Sequence, residues 1–355
     1  LALVAGLLSA ASARAVTINL VPVGNPGNAN DPATGGIYGG VAYDYQIAKY
    51  NVTIGQYTDF LNAVAKTDTY SLYSGQMGTD QSIRGISRSG VSGNYSYSVI
   101  AASGSAPYGG VSAANRPISH VSWFVAARFA NWLANGQPTG IQTGTTTENG
   151  AYNLNGATSG TAPARNVTNP NTGATPTYVI PTENEWYKAA YYSPVLNSGS
   201  GGYYTYATQS NTAPGNVPGS GANQANYFTD LTTNVYSVTQ AESFASNQNY
   251  LTDVGAFTNS ASYYGTFDQN GSLSQWNDLD GLPGSNRGLR GGYFAAYADD
   301  LSSSTRYLNP TSSKTNGYGF RLASPVPVPE PSTWVMGAVG LAGVAWRSVR
   351  RRRAR

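Results

Sequence analysis

The chain has 355 residues, with 20 Lys plus Arg against 17 Asp plus Glu, a formal charge of +3 and a pI near 8.8. It contains 42 glycines, 27 tyrosines, one histidine, two methionines and no cysteine. A disulfide scaffold and any site built from several His or Cys ligands are therefore excluded, and the length allows one large or two small domains.

In chain order, Leu1 to Ala11 is an apolar run followed by Ala13-Arg14-Ala15, the small-x-small form that signal peptidase requires. No Met and no basic stretch precede it, so the sequence is expected to open inside a signal peptide spanning residues 1–15. Residues 16–324 then read as the folded part. Thr53 to Ala65 predicts a helix: Thr53 and Gln56 have capping-box spacing, and Tyr57, Phe60, Leu61 and Val64 share one face. Ser122 to Ala134 predicts a second, with Ser122 as N-cap, Val125, Phe129, Trp132 and Leu133 on one stripe, and Asn135-Gly136 as its stop. Thr182 to Tyr192 predicts a third, opened by Thr182 and Glu185 and halted before Pro194. The strand candidates are Tyr178 to Ile180, Gly288 to Phe294 and Gly319 to Ala323. Segments 136–176 and 197–224 are rich in Gly, Thr, Asn and Ser and read as long excursions. Few helices, short strands and abundant loops give an α+β class.

Residues 325–355 read as an address. A Pro-rich spacer holds Pro329-Glu330-Pro331; an apolar run follows from Trp334 to Trp346, within a short helix expected at 332–346; the end carries Arg347, Arg350, Arg351, Arg352, Arg353 and Arg355. The apolar run is shorter than the roughly 20 residues of a stable spanning helix. Clustered arginines predict that this end stays cytoplasmic while the bulk of the chain crosses the membrane. The three-part order resembles the PEP-CTERM sorting signal of bacteria, which implies recognition by an exosortase, a temporary membrane stop and a mature end near Pro329. Without Arg14 and the six tail arginines, Lys plus Arg falls from 20 to 13; without Glu330, Asp plus Glu falls from 17 to 16. The exported part is thus near −3, and no basic face argues for nucleic acid.

Six blocks across residues 20–324 carry a second resemblance. They are Val52-Thr53-Ile54-Gly55-Gln56-Tyr57, Arg116-Pro117-Ile118-Ser119-His120-Val121-Ser122-Trp123, Ile180-Pro181-Thr182-Glu183-Asn184-Glu185-Trp186, Ala225-Asn226-Tyr227, Leu289-Arg290-Gly291-Gly292 and Gly319-Phe320-Arg321-Leu322. Their sequence and order are similar to the sulfatase-modifying-factor, or formylglycine-generating-enzyme, superfamily. The fold that this implies is a loop-rich variant of the C-type-lectin-like fold. Read as residues, the blocks are mostly architectural: Trp123, Trp132 and Trp186 suit a core, and Arg290 and Arg321 suit bridges between loop carbonyls and carboxylates.

The chemistry of the resemblance is largely missing. The family's oxidases use paired cysteines to hold copper, and Ala296 and Leu301 stand about where those thiols belong, with Leu322 closing the last block. Copper(I) wants soft ligands, so no copper is expected. A branch that uses histidine-bound iron needs more than His120. Ser119, His120 and Ser122 are adjacent but point in different directions on a helix entry. Of the paired carboxylates, Glu183 and Glu185 suit a helix dipole, while Asp278 with Asp280 and Asp299 with Asp300 read as solvated loop acids or oxygen ligands.

Calcium is the ion that the resemblance implies, held by the Asn226 side chain and the Tyr227 carbonyl. A second site is weakened by Ser272 and Gln275 in the segment Gly271 to Trp276. Two functions stay open. One is an exported binding or structural module for exopolysaccharide or envelope protein, sorted by exosortase through the inner membrane to the envelope or beyond. The other is an enzyme with a cysteine-independent activity. The tyrosines and amides suit contact with sugars or peptides, and equally suit a loop-rich fold packing its own turns.

Overall fold

The computed structural model describes residues 15–229 and 233–325. The signal segment, the sorting residues Pro329, Glu330, Pro331, Arg350, Arg351, Arg352 and Arg353, and the helix expected at 332–346 lie outside them. Among the described residues, no helix is long and apolar enough to cross a membrane.

Strand β1 (Leu20–Val23) pairs antiparallel with β2 (Tyr45–Ala48), and the chain enters helix α1 (Ile54–Val64). The Thr53 hydroxyl accepts from Gln56 N at 3.2 Å and Gln56 Oε1 accepts from Thr53 N at 2.9 Å, so two otherwise orphaned helix-end donors are satisfied reciprocally. A hairpin of β3 (Ile86–Ser89) and β4 (Ser96–Val99) follows. Helix α2 (Trp123–Ala134) starts at the Ser122 cap, and α3 (Glu183–Tyr191) starts at the Thr182–Glu185 capping box. All three predicted helices form. Helix α3 stops at Tyr192, where the backbone turns extended ahead of Pro194.

The second sheet lies later in the chain. It holds β5 (Ser274–Asn277), β6 (Asn286–Arg290), the short helix α4 (Ala298–Leu301), β7 (Tyr307–Pro310) and β8 (Tyr318–Gly319), with strand order β7-β6-β5-β8. Its β5–β6 and β6–β7 pairs are antiparallel, and β5–β8 is parallel. A last strand, β9 (Ala323–Ser324), returns to β2 and completes the order β1-β2-β9. Fold class is as expected: mixed helices and short strands joined by many loops.

The strand expectations need adjustment. Gly319 to Ala323 is two strands in two sheets, because the chain crosses from Ser274–Gln275 to Gln46–Ile47 in between. At the crossover the Phe320 and Leu322 carbonyls accept from Val52 N and Ala48 N, so backbone polarity is satisfied without a ladder. The strand expected at Gly288 to Phe294 ends at Arg290, since Gly291 and Gly292 take φ of +98° and +69°. Tyr178 to Ile180 makes only one bridge, Val179 to Ala323.

The main core lies between α1, α2 and the first sheet. Tyr57, Phe60, Phe129 and Trp132 interlock at ring separations of 5.1–6.0 Å, and Phe320 closes on Phe129 at 5.5 Å. Such contacts are worth about 0.5–1.5 kcal/mol each beyond area burial. Excursion 136–176 reaches into this body: Glu148 pairs with buried Arg128 of α2 at 2.7 Å.

Candidate functional site

Capping of α3 fixes where its two acids point. Glu185 closes the capping box on Thr182 N at 2.6 Å and receives Arg165 at 2.8 Å and the Tyr43 hydroxyl at 2.8 Å. Burial would raise its carboxyl, yet Arg165 and these hydrogen bonds hold it below the usual range. Glu183, also buried, receives Arg290 Nε and Arg306 Nη2, each at 2.7 Å. The first-turn acids therefore do more than serve the dipole.

Asp278 departs most from expectation. Rather than a solvated loop acid, it is 1 % exposed and receives Trp123 Nε1 at 2.8 Å, the Tyr152 hydroxyl at 2.6 Å, and Arg165 Nε and Arg287 Nε at 3.2 Å each. A buried carboxylate surrounded by four donors is satisfied, and it is unavailable as a general base or metal ligand. Asp280 is exposed, and Asp300 accepts from Tyr307.

The two motif arginines bridge loops as expected. Arg290 Nη1 donates to the Ser303 and Thr305 carbonyls at 2.9 Å. Arg321 donates to Gln275 Oε1 at 2.6 Å, Ala48 O at 2.9 Å and Phe267 O at 2.6 Å, and burial lowers its pKa to about 9. Gln275 also accepts from Trp186 Nε1 at 2.8 Å and donates to Asp268 O at 2.6 Å. Its neutral amide serves as a three-way structural bridge. Asp268 itself accepts Gly255 N at 2.7 Å, and enclosure raises its carboxyl to about 6 against the opposing pull of that bond and of Arg321.

His120 sits at φ +55°, with its ring Nε2 3.2 Å from Asp80 Oδ2. Burial lowers its pKa, with Asp80 opposing. Ser122 Oγ is engaged in capping α2, accepting from Val125 N at 3.3 Å, so it is not paired with His120.

The calcium expectation meets amide donors. Asn226 Nδ2 donates to Tyr250 O at 2.9 Å, and its carbonyl accepts Ser272 N at 2.6 Å. The Tyr227 carbonyl accepts Asn216 Nδ2 at 3.2 Å. Ca²⁺ takes six to eight oxygens; here the Tyr227 carbonyl is engaged by the Asn216 amide, and no carboxylate stands among the expected ligands.

Ala296 and Leu301 share one buried cluster with Tyr206, Ala225, Tyr227 and Ala298. A Cβ built on Gly292 would lie 2.6 Å from Leu301 Cδ1 and 3.4 Å from Ala296 Cβ. Gly292 thus packs directly against both side chains. Leu322 is not brought to them: it lies in the main core beneath the first sheet.

The Sulfatase-modifying factor enzyme 1-like domain matches residues 39–326. The chain belongs to this family. Residues 327–352 match the PEP-CTERM protein-sorting motif, so the family domain is joined to a signal for exosortase-mediated export to the cell envelope. No curated protein matches the chain. Among solved structures, Treponema denticola variable protein 1 is 16 % identical with a TM-score of 0.47, covering 89 % of this chain and 98 % of its own. CarF is 18 % identical with a TM-score of 0.47, covering 88 % and 99 %. PvdO from Pseudomonas aeruginosa is 14 % identical with a TM-score of 0.38, covering 80 % and 82 %.

Within this sulfatase-modifying-factor domain, sequence reasoning missed the Asp278 hub and its partner Arg165. Asp278 lies between Asn277 and Leu279 in a stretch with no charge pattern, and its arginines come from positions 165 and 287. Only the fold brings them together.

Proposed function

We propose that this family member is an exported, non-oxidising binding module, sorted through its C-terminal signal and carrying a hydrogen-bonding ligand surface. The observation that carries the reading is the buried apolar Ala296–Leu301 cluster, which offers alanine and leucine at the positions where the resemblance places the oxidases' thiols. Further support comes from the face beside it. Phe228 meets Tyr297 at 5.7 Å and Tyr236 at 4.5 Å, and Tyr236 meets Phe244 at 5.8 Å; Tyr297 and Phe244 are each about half exposed. Aromatic faces contact the apolar faces of sugars without needing charge. The proposed ligand is an exopolysaccharide of the envelope.

The test is binding of the full chain to extracted exopolysaccharide, with envelope proteins as the alternative bait. Retention on polysaccharide, reduced in Phe244→Ala and Tyr297→Ala, supports the reading; retention on neither bait removes it. Intact mass of the protein recovered from its envelope addresses sorting: an end near Pro329 is expected, and an end at Arg355 would indicate permanent anchoring.

A further inference from the structure

A cleft of about 300 Å³ opens where residues 69–71, the start of α2, Thr158 and the loop at 312–314 come together. That volume is at the lower end of the roughly 300–1,000 Å³ of small-molecule sites, room for a small saccharide. Its rim is polar and open to solvent. Thr69, Ser71, Thr158, Ser312 and Lys314 line the cleft and are exposed, and none of their side chains makes a hydrogen bond or ion pair among the described residues. Each hydroxyl can donate once and accept twice, and the Lys314 ammonium carries three donors. No carboxylate lines the cleft.

The floor belongs to α2. Ser122 is 5 % exposed and its Oγ accepts from Val125 N at 3.3 Å; among the described residues its hydroxyl proton has no acceptor. Arg128, one turn deeper, is neutralised by Glu148 through two bonds of 2.7 Å. Among the lining residues Lys314 alone therefore carries an unpaired charge. The positive end of the α2 dipole acts in the same direction. Arg128 also lies 4.4 Å over the Tyr70 ring, which holds that ring in the wall of the cleft.

An unpaired cation among free hydroxyls, beside an aromatic wall, suits a ligand that combines a carboxylate, hydroxyls and an apolar ring face. A bare phosphate or sulfate would use only the first of these. We propose that this cleft binds an acidic sugar, a uronate residue of an anionic polysaccharide. Its carboxylate pairs with Lys314, its hydroxyls bond to the rim, and its ring packs on Tyr70. The assignment rests on the binding-module reading and adds a charged contact to the aromatic face.

Calorimetric titration of the full chain with trigalacturonate tests the assignment, with cellotriose as the neutral control and glucosamine trimer as the cationic one. Saturable binding of trigalacturonate that weakens as salt is raised is expected, with weaker binding of cellotriose and none of glucosamine trimer. Lys314→Gln removes one exposed charge and should weaken binding about threefold or more at unchanged Tm. Ser122→Asp keeps an oxygen to cap α2 and sets a like charge on the floor, so a loss of at least about tenfold is expected. Equal binding of cellotriose, or no binding of trigalacturonate, overturns the assignment. So does trigalacturonate binding that survives both variants or is lost instead in Phe244→Ala and Tyr297→Ala. Retention on extracted exopolysaccharide decides the wider reading separately, so the two can fail independently.

Discussion

Two buried regions of this protein stand in contrast, the ionic hub at Asp278 and the apolar cluster at Leu301. The hub gathers Trp123, Tyr152, Arg165 and Arg287 from four separate stretches onto one carboxylate. The cluster gathers Ala296, Ala298 and Leu301 from one short stretch, with Tyr206, Ala225 and Tyr227 packed against it. The hub ties loops together through groups that need one another, whereas the cluster is held by apolar contact alone. Charges buried as partners cannot be removed singly without stranding one another, while apolar neighbours lose only their packing.

Predictions that break or sharpen this contrast start with the hub. Asp278→Ala should cost about 3–5 kcal/mol in denaturant unfolding, because Arg165 and Arg287 would lose a buried partner. A loss under 1 kcal/mol would mean that water reaches the arginines and that the hub is not structural. Leu301→Ala should cost about 2–4 kcal/mol through a cavity the surroundings fill only partly. A neutral result would show that the cluster is loosely packed, weakening the proposal that this region is a filled, non-oxidising one.

Asp268 gives a pH test. Its folded pKa, about 6, lies above the ordinary aspartate value of 3.8, so the folded state holds the proton more tightly than the unfolded state. Its contribution is therefore present at low pH and is lost as pH rises through about 4 to 6. The size is on the order of 2 kcal/mol, discounted because the residue is partly accessible. Asp268→Asn should flatten the stability profile over that window; an unchanged profile would assign the pH dependence elsewhere. Smaller still, Thr182→Ala should cost about 1 kcal/mol through loss of the α3 cap, read from the unfolding midpoint. At the bottom of the scale, calcium titration should produce no heat and EDTA no change in Tm, since the Asn216 amide engages the Tyr227 carbonyl and no carboxylate stands among the expected ligands. A clear calcium heat would show that this amide reorients to expose its oxygen.

Local chemistry in the sequence determined the three helices: Thr53, Ser122 and Thr182 cap them through side chains within three residues, and the apolar stripes sit on the buried faces. The same holds for the family blocks, which are readable by identity and order. The tertiary structure alone decided the rest. Asp278, an unremarkable loop acid in sequence, became a hub because arginines 113 residues before it and 9 after it fold onto one point. The run from Gly319 to Ala323 looked like one strand because periodicity cannot register which sheet accepts each half. Capping and amphipathic faces are short-range and leave a local trace; ion pairing and sheet exchange arise between distant residues and leave none.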